Sequence, residues 1–302
     1  MKTKALHLWV ACIAGTGALP AQNLNWDGQT GIWTTPLAAT AASPKGGFGA
    51  PIVGYHYVNL SGIIGGFNQF SLTEGVGSRS EFGYSRAVHL SGDNPALSPA
   101  WGAGFNTFHG KLNVIREDAW KTKWIPAVSG GFVVRSQMRN AGGYLTGKDT
   151  TNADFYVVAT KLVTQTKIIP IVLNAGYKAT NASIFGLAGN APAYTGRAFG
   201  ALGLVFRGPS KSTLILACEI TQQPKYIQDL PGAVVPTTLV YAVRFLPAME
   251  HGKLNIDAGI AAYAVLYVLH GFILHFSYSW ENAVLPVRQG IPWLQAYANK
   301  SS

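Results

Sequence analysis

Hydrophobic and polar side chains alternate with a period of two along most of this chain of 302 residues. A period of two is that of a β-strand, whose successive side chains point to opposite faces of the sheet. About twelve segments follow the pattern, and each is close to the ~9–11 residues that a tilted transmembrane strand requires. They lie at residues 51–59, 67–75, 80–90, 104–115, 125–138, 153–163, 167–180, 198–207, 211–222, 237–247, 252–265 and 271–280. The alternation predicts an all-β protein.

The two faces of these segments differ in a way that favours a membrane protein. One face carries large apolar side chains, and the other carries mostly Gly, Ala, Ser, Thr and Asn. A soluble β-sandwich would bury one face and fill the other with charge, and an α/β enzyme would show a 3.6-residue period between its strands. The sequence therefore predicts a transmembrane antiparallel β-barrel of about 12 strands, with apolar rows against lipid and small or polar rows toward the lumen.

The lengths of the connections predict the orientation of this barrel. Short gaps follow most even-numbered segments, at 75–80, 164–166, 208–210 and 247–251. Long gaps follow several odd-numbered ones, at 91–103, 139–152, 181–197 and 223–236. Bacterial barrels place short turns in the periplasm and long loops outside the cell. With an even number of strands, both the N- and the C-terminus are then expected in the periplasm.

The chain divides into four parts on composition. Residues 1–21 read as a signal peptide for secretion, with Lys2 and Lys4 before an apolar stretch and small residues before Gln22. Residues 22–50 are rich in Gly, Thr and Ala with weak periodicity, and are predicted to form a periplasmic or plug-like segment. The barrel is expected at residues 51–280, and a tail at 281–302 follows its last aromatic residue, Trp280.

Composition narrows the function classes. Charged residues make up 12% of the chain, about half the usual share of a soluble domain. Removal of the signal peptide would leave Cys218 as the single cysteine, which excludes an intramolecular disulfide. The net charge of +10 is spread without a clustered basic stripe, so a partner nucleic acid is not expected. The expected partners are outer-membrane lipid, small solutes and the barrel-assembly machinery.

Four stretches carry a resemblance to known proteins. They are Thr30-Gly31-Ile32-Trp33-Thr34-Thr35-Pro36-Leu37-Ala38, Tyr55-His56-Tyr57, Glu81-Phe82-Gly83-Tyr84-Ser85-Arg86 and Gln222-Gln223-Pro224. With these stretches the chain resembles porin-like families of bacterial outer-membrane β-barrels of about this size. The resemblance implies a barrel fold and the bacterial outer membrane, and it implies no particular substrate.

Charged residues on the inward rows are the first candidate functional site. The expected pore-lining residues are Lys111, Arg135, Lys161, Lys178, Glu219, Arg244 and Asp257. A basic excess inside a pore focuses the field on anions, so a passive channel for small solutes with a weak anion preference is expected. The alternative is a structural barrel in which these charges pair with one another, because buried charges are normally partnered.

An enzyme is the second interpretation. His275 and Ser277 share one face of the last segment, close enough for the imidazole to act as a base toward the hydroxyl. This resembles the His-x-Ser arrangement of outer-membrane phospholipases and lipid A deacylases, and Asp257 on the neighbouring segment could orient the histidine. The chain lacks the surrounding motif residues of those families, so a lipid esterase or deacylase is less favoured than polar residues that line a lumen.

A third interpretation is the passage of small hydrophobic compounds, with residues 22–50 as an internal plug. The histidines show no spacing typical of metal ligands. No glycine-rich phosphate loop precedes a helix. Neither a metal nor another cofactor is expected.

Overall fold

A computed structural model of the chain describes residues 23–60, 65–93, 104–136, 151–164, 169–228, 230–248, 253–263 and 269–279. Two short 3₁₀ turns, Ala119–Lys121 and Pro209–Lys211, are the helical elements of this part. No helix in these ranges is long and apolar enough to cross a membrane. The predicted signal peptide, residues 1–21, and the predicted tail, residues 281–302, lie outside the described residues.

Twelve antiparallel strands form a closed barrel in which almost every strand pairs with its neighbours in sequence. The barrel strands are β1 Ile52–Asn59, β2 Gly65–Val76, β3 Ser80–Ser91, β4 Phe105–Ile115, β5 Ala127–Ser136, β6 Asn152–Val163, β7 Ile171–Ala182, β8 Asn190–Arg207, β9 Thr213–Thr221, β12 Thr238–Leu246, β13 Lys253–Tyr263 and β14 Leu269–Ser279. A small hairpin, β10 Tyr226–Ile227 and β11 Leu230–Val234, lies in the connection between β9 and β12. The prediction of an all-β antiparallel barrel of about twelve strands is confirmed.

Closure is made by the pairing of the first and last strands. Ile52 of β1 lies opposite Ser279 of β14, and the register continues without interruption to Asn59 opposite Phe272. The start of β1 and the end of β14 therefore lie at the same end of the barrel. We call this end the turn end and the opposite one the loop end. The turn end also carries the β2–β3, β4–β5, β6–β7, β8–β9 and β12–β13 connections.

Alternation along each strand separates a lipid-facing row from an inward row. Phe70, Val157 and Tyr241 are 57%, 58% and 54% exposed, whereas the neighbouring Gln69 and Val158 are fully buried. Apolar side chains on the exterior recur on strands around the barrel, as the exterior of a transmembrane barrel requires. Inside, the polar side chains are buried by contact with the N-terminal part of the chain, described next.

Residues 23–41, here called the lumen segment, occupy the interior of the barrel. Residues 23–35 are all buried, and two isolated bridges, Leu24 with Thr30 and Gly31 with Pro36, fold this stretch back on itself. The following residues reach the turn end, where the Gly49 N–H donates to the carbonyl of Gly75 at 2.9 Å. The role of residues 22–50 as a separate plug-like domain stays a prediction.

Small inward residues make room for the lumen segment. A Cβ atom on Gly259 of β13 would lie 1.7 Å from the indole ring of Trp33, so the ring fits only because this position has no side chain. At the tip of the segment Gly28 has a φ of +88°, which a residue with a Cβ rarely adopts. A small residue of the inward rows, Gly259, therefore makes room for the packing of the lumen segment.

Three features of the strands differ from the sequence-based expectation. Strand β8 begins at Asn190 rather than near residue 198, so the connection before it is only 183–189. The connections 60–64 and 264–268 are also short, so the contrast between the two ends is weaker than predicted. Pro170 precedes β7 instead of lying in a strand, which avoids a missing donor in the ladder. The periplasmic position of the termini stays a prediction.

Candidate functional site

The candidate site is the contact between the inward charges of the barrel wall and the lumen segment. Glu219 of β9 is fully buried, and its carboxylate accepts hydrogen bonds from the three consecutive backbone N–H groups of residues 33–35, at 2.9–3.1 Å. The hydroxyls of Thr34 and Thr35 donate to the same carboxylate at 2.9 and 2.5 Å. Successive N–H groups that converge on one anion form a concave binding site for negative charge. Glu219 therefore fixes the lumen segment through its backbone.

A second contact joins strands β12 and β13 to the same stretch. Arg244 donates to Asp257 through Nε at 2.8 Å and through Nη2 at 2.7 Å, in a bidentate pair. Nη2 of Arg244 also donates to the carbonyl of Ile32 at 2.8 Å. The indole Nε1 of Trp33 donates to Asp257 at 2.9 Å. Both partners of this ion pair thus hold the lumen segment as well as each other.

A third contact lies on the other side of the lumen, on β3 and β4. Glu81 and Lys111 form an ion pair of 2.9 Å with no exposed side-chain surface. The N–H groups of Thr30 and Ala41 donate to Glu81 at 3.0 and 2.7 Å. The ammonium group of Lys111 donates to the carbonyls of Thr30 and Leu37 at 2.8 and 2.9 Å. The pair therefore satisfies backbone groups of both signs.

A fourth contact lies near the loop end. Arg135, close to the end of β5, makes a bidentate pair with Asp27 of the lumen segment at 2.9 and 2.7 Å. It also contacts Asp154 of β6 at 3.1 Å. Lys178 of β7 lies 3.6 Å from Asp154 and 5.7 Å from the ring centre of Phe185. Asp27 thus adds a second carboxylate to the partners of Arg135.

The residues predicted to line a pore are brought together with one exception. Six of the seven are buried on the inward rows and have ionic or hydrogen-bond partners, namely Lys111, Arg135, Lys178, Glu219, Arg244 and Asp257. In this arrangement they contact the wall or the lumen segment rather than an open passage.

Lys161 does not face the lumen, contrary to the expectation. Strand β6 runs without a bulge, and Lys161 lies seven positions after Asp154, an odd offset, so the two cannot share a face. Thr160 takes the inward position and its hydroxyl accepts the N–H of Ala38 at 2.7 Å. Lys161 instead contacts Glu117 at 3.1 Å and Asp118 at 2.5 Å in the β4–β5 connection.

The residues of the catalytic interpretation lie on adjacent strands. His275 is opposite Asp257 in the β13–β14 register, and Ser277 is opposite Asn255. The side chains of His275 and Ser277 lie outside the described residues. The Asp257 carboxylate, which was expected to orient the histidine, already accepts two hydrogen bonds from Arg244 and one from Trp33.

Sequence reasoning missed the partners within the lumen segment. Of the four contacts with the lumen segment, one uses Asp27 and the other three use the backbone of residues 30–35. This stretch has no period that would indicate an inward or outward direction. A possible signal was the pair Trp26 and Trp33 around a Gly-rich stretch, since large aromatic side chains are normally buried. Across the described ranges no group of three or more His, Cys, Asp or Glu side chains could hold a metal ion.

An apolar cavity of about 110 Å³ remains between the lumen segment and the wall near the turn end. Ile32 and Leu37 line it from the lumen segment. Val172, Val205 and Ile215 line it from three successive strands. These inward apolar side chains depart from the polar lumen of a water-filled barrel.

No protein-family model matches the chain, and no curated protein does so. Among solved structures it is similar to the NanC porin, with a TM-score of 0.46 and 11% identity over 77% of this chain and 100% of that one. It is also similar to the KdgM porin in complex with disordered oligogalacturonate, with a TM-score of 0.43 and 8% identity over 76% of this chain and 98% of that one. A third similarity is to the beta domain of the Bordetella autotransporter Brka, with a TM-score of 0.42 and 12% identity over 78% of this chain and 99% of that one. The strand pairing and apolar exterior of this chain, rather than these similarities, are those of an outer-membrane-type antiparallel β-barrel.

Proposed function

We propose that the protein is an outer-membrane channel whose lumen is closed by residues 23–41, and that small solutes pass when this segment is displaced. The proposal includes secretion through the signal peptide at residues 1–21 and termini on the periplasmic side. The observation that carries it is the set of hydrogen bonds on Glu219. A carboxylate that binds the lumen segment through its backbone N–H groups can exchange those donors for water, as a hydrated lumen allows.

A weak anion preference of the open channel is part of the proposal. Displacement of the lumen segment removes the Asp27 carboxylate from Arg135. Apart from Arg207 at the turn end, the described inward side chains then include five cations and four carboxylates, namely Lys111, Arg135, Lys178, Arg197 and Arg244 against Glu81, Asp154, Glu219 and Asp257. A small basic excess in a narrow lumen attracts anions and disfavours cations.

Conductance in planar bilayers tests the proposal. Deletion of residues 23–41 should produce frequent steps with a preference for chloride over potassium, whereas the intact protein should be mostly closed. Glu219→Ala should raise the open probability because residues 33–35 lose their shared acceptor. Glu74→Gln is the matched control, since Glu74 lies on the outward row of β2. A deletion variant that is folded and never conducts would refute the channel and leave the structural barrel.

Passage of small hydrophobic compounds is the second candidate, and the cavity of about 110 Å³ favours it. A cavity of about 150 Å³ lined by aliphatic and aromatic side chains is known to bind benzene. Val205→Phe should fill this space and slow the entry of a benzene-sized probe into cells that carry the protein. Val53→Phe, on the exposed row of β1, is the control. Equal entry rates for the two variants would remove this candidate.

A further inference from the structure

The β4–β5 connection, residues 116–126, exposes two tryptophans at the turn end. Trp120 and Trp124 are 75% and 82% exposed, more than any other described large hydrophobic side chain. The connection has its own hydrogen bonds, from the Asp118 N–H to the carbonyl of Ile125 at 3.0 Å and from the Thr122 N–H to that of Ala119 at 3.2 Å. The exposed rings are thus presented by a hydrogen-bonded turn.

The turn end that carries these tryptophans is rich in basic side chains. Eight basic residues at the turn end have described side chains, namely Lys45, Arg79, Arg116, Lys121, Lys123, Lys161, Arg207 and Lys211. Three acidic residues there have described side chains too, namely Glu74, Glu117 and Asp118. Two of the three acids form ion pairs with Lys161. The surface that remains is strongly positive.

The basic residues lie directly beyond the lipid-facing belt. Leu112 and Val114, 51% and 58% exposed, end the outward row of β4 just before the connection. Phe48 is 64% exposed and packs edge-on against Phe82 on the exterior. Lys45 lies three residues before Phe48 in the chain. Side chains just outside the apolar belt reach the depth of lipid headgroups, where tryptophan is enriched.

We propose that the turn end binds the headgroups of anionic phospholipids in the adjacent leaflet. Trp120 and Trp124 rest at the boundary between acyl chains and headgroups, while Lys121, Lys123 and Lys211 contact the phosphates. The complementary charges favour this partner over a zwitterionic lipid, because each Lys or Arg near an anionic surface strengthens binding about fivefold. The inference does not depend on the proposed conduction, since it concerns the exterior and the turns alone.

Native mass spectrometry of the mature protein with equal amounts of phosphatidylglycerol and phosphatidylcholine tests the inference. The unaltered protein should retain phosphatidylglycerol in preference. The triple variant Lys121→Gln, Lys123→Gln, Lys211→Gln should lower the ratio of bound phosphatidylglycerol to phosphatidylcholine at least fivefold. Lys225→Gln is the matched control, because Lys225 is an exposed cation of the loop end. Unchanged migration of the unheated barrel on a gel would show that the triple variant is folded.

The outcomes separate the lipid from other partners. A folded triple variant with an unchanged ratio would overturn the inference, and so would an equal fall in the control. Equal binding of the two lipids by the unaltered protein would also overturn it and leave the surface to a protein partner. In vesicles, brominated phosphatidylglycerol should quench tryptophan fluorescence more than brominated phosphatidylcholine does. That difference should shrink when both Trp120 and Trp124 are changed to Phe.

Discussion

The ion pair of Arg244 with Asp257 offers a quantitative test of the closed lumen. Their side chains are 6% and 0% exposed, and together they hold the backbone of Ile32 and the indole of Trp33. Arg244→Met keeps much of the apolar stem but leaves the Asp257 carboxylate buried without its cation. Removal of one partner of a buried pair costs about 3–5 kcal/mol. The loss of the hydrogen bond to Ile32 adds about 1 kcal/mol.

The double variant makes this prediction sharper. Arg244→Met with Asp257→Leu leaves no uncompensated charge, so most of the 3–5 kcal/mol should return. The carbonyl of Ile32 is unpaired in both variants, so the additional loss in the double variant is the unpaired indole N–H of Trp33, about 1–3 kcal/mol for one buried polar group. The double variant should therefore be more stable than Arg244→Met alone.

The test compares Arg244→Met, Asp257→Leu and the double variant. Their free energies of unfolding are measured in urea, with the protein in phospholipid vesicles and tryptophan fluorescence as the signal. The two single losses and the double loss give a coupling energy, expected at about 2 kcal/mol or more. Additive losses would refute the reasoning, because they would mean that water already separates the two charges. A loss below about 1 kcal/mol for Arg244→Met would refute it as well, since surface pairs have that strength.

Three more predictions follow from single contacts. Gly259→Val should expel the ring of Trp33, because even a Cβ atom at this position would lie 1.7 Å from the ring. The tryptophan fluorescence emission should then shift to the red, and an unchanged emission would contradict the packing. Lys178→Glu places a second carboxylate beside Asp154 and should turn the open channel toward cations, measured as the reversal potential in a salt gradient of the deletion variant. Lys161→Met should lower the free energy of unfolding by at most about 1 kcal/mol and leave the reversal potential unchanged, because the side chain of Lys161 lies at the turn end and not in the lumen.

The strands could be predicted from the sequence because the membrane imposes a simple rule. Every second residue must be compatible with hydrocarbon, so an error of one residue in register would place a side chain such as Glu219 in lipid. The rule works within the alternating part of a strand and is less accurate about where the strand begins and ends. Strand β8 illustrates this, since its first residues, 190–197, lie before the segment that alternation identified.

The contents of the lumen could not be predicted in the same way. The contacts of residues 33–35 are with Glu219, more than 180 positions away, and no local pattern encodes such a pairing. The direction of Lys161 shows a different error. Lys161 was assigned to the inward row together with Asp154, whereas their odd separation within one uninterrupted strand excludes a shared face.

The polar character of these contacts bears on whether the lumen segment can leave. A charged group such as Glu219 is satisfied by the backbone of residues 33–35 in the closed state and by water in an open one, so the net cost of exchange is small. Apolar contacts have no such substitute, because exposing them to water is unfavourable in proportion to their area. At the loop end Trp26 packs in one buried cluster with Phe67 and Phe185. This apolar cluster, rather than the ion pairs, should therefore limit opening.

Phe185→Ala tests that conclusion. Phe185 lies in the 183–189 connection and is 3% exposed, so truncation removes a buried ring from the cluster at a cost of about 3–5 kcal/mol. If the cluster is lost on opening, most of this cost falls on the closed state, and the open probability in bilayers should rise by more than tenfold. Phe155→Ala, which removes a ring from the lipid-facing row of β6, is the matched control and should leave the open probability unchanged. An open probability that rises with Glu219→Ala but not with Phe185→Ala would mean that the polar contacts, not the apolar cluster, keep the segment in place.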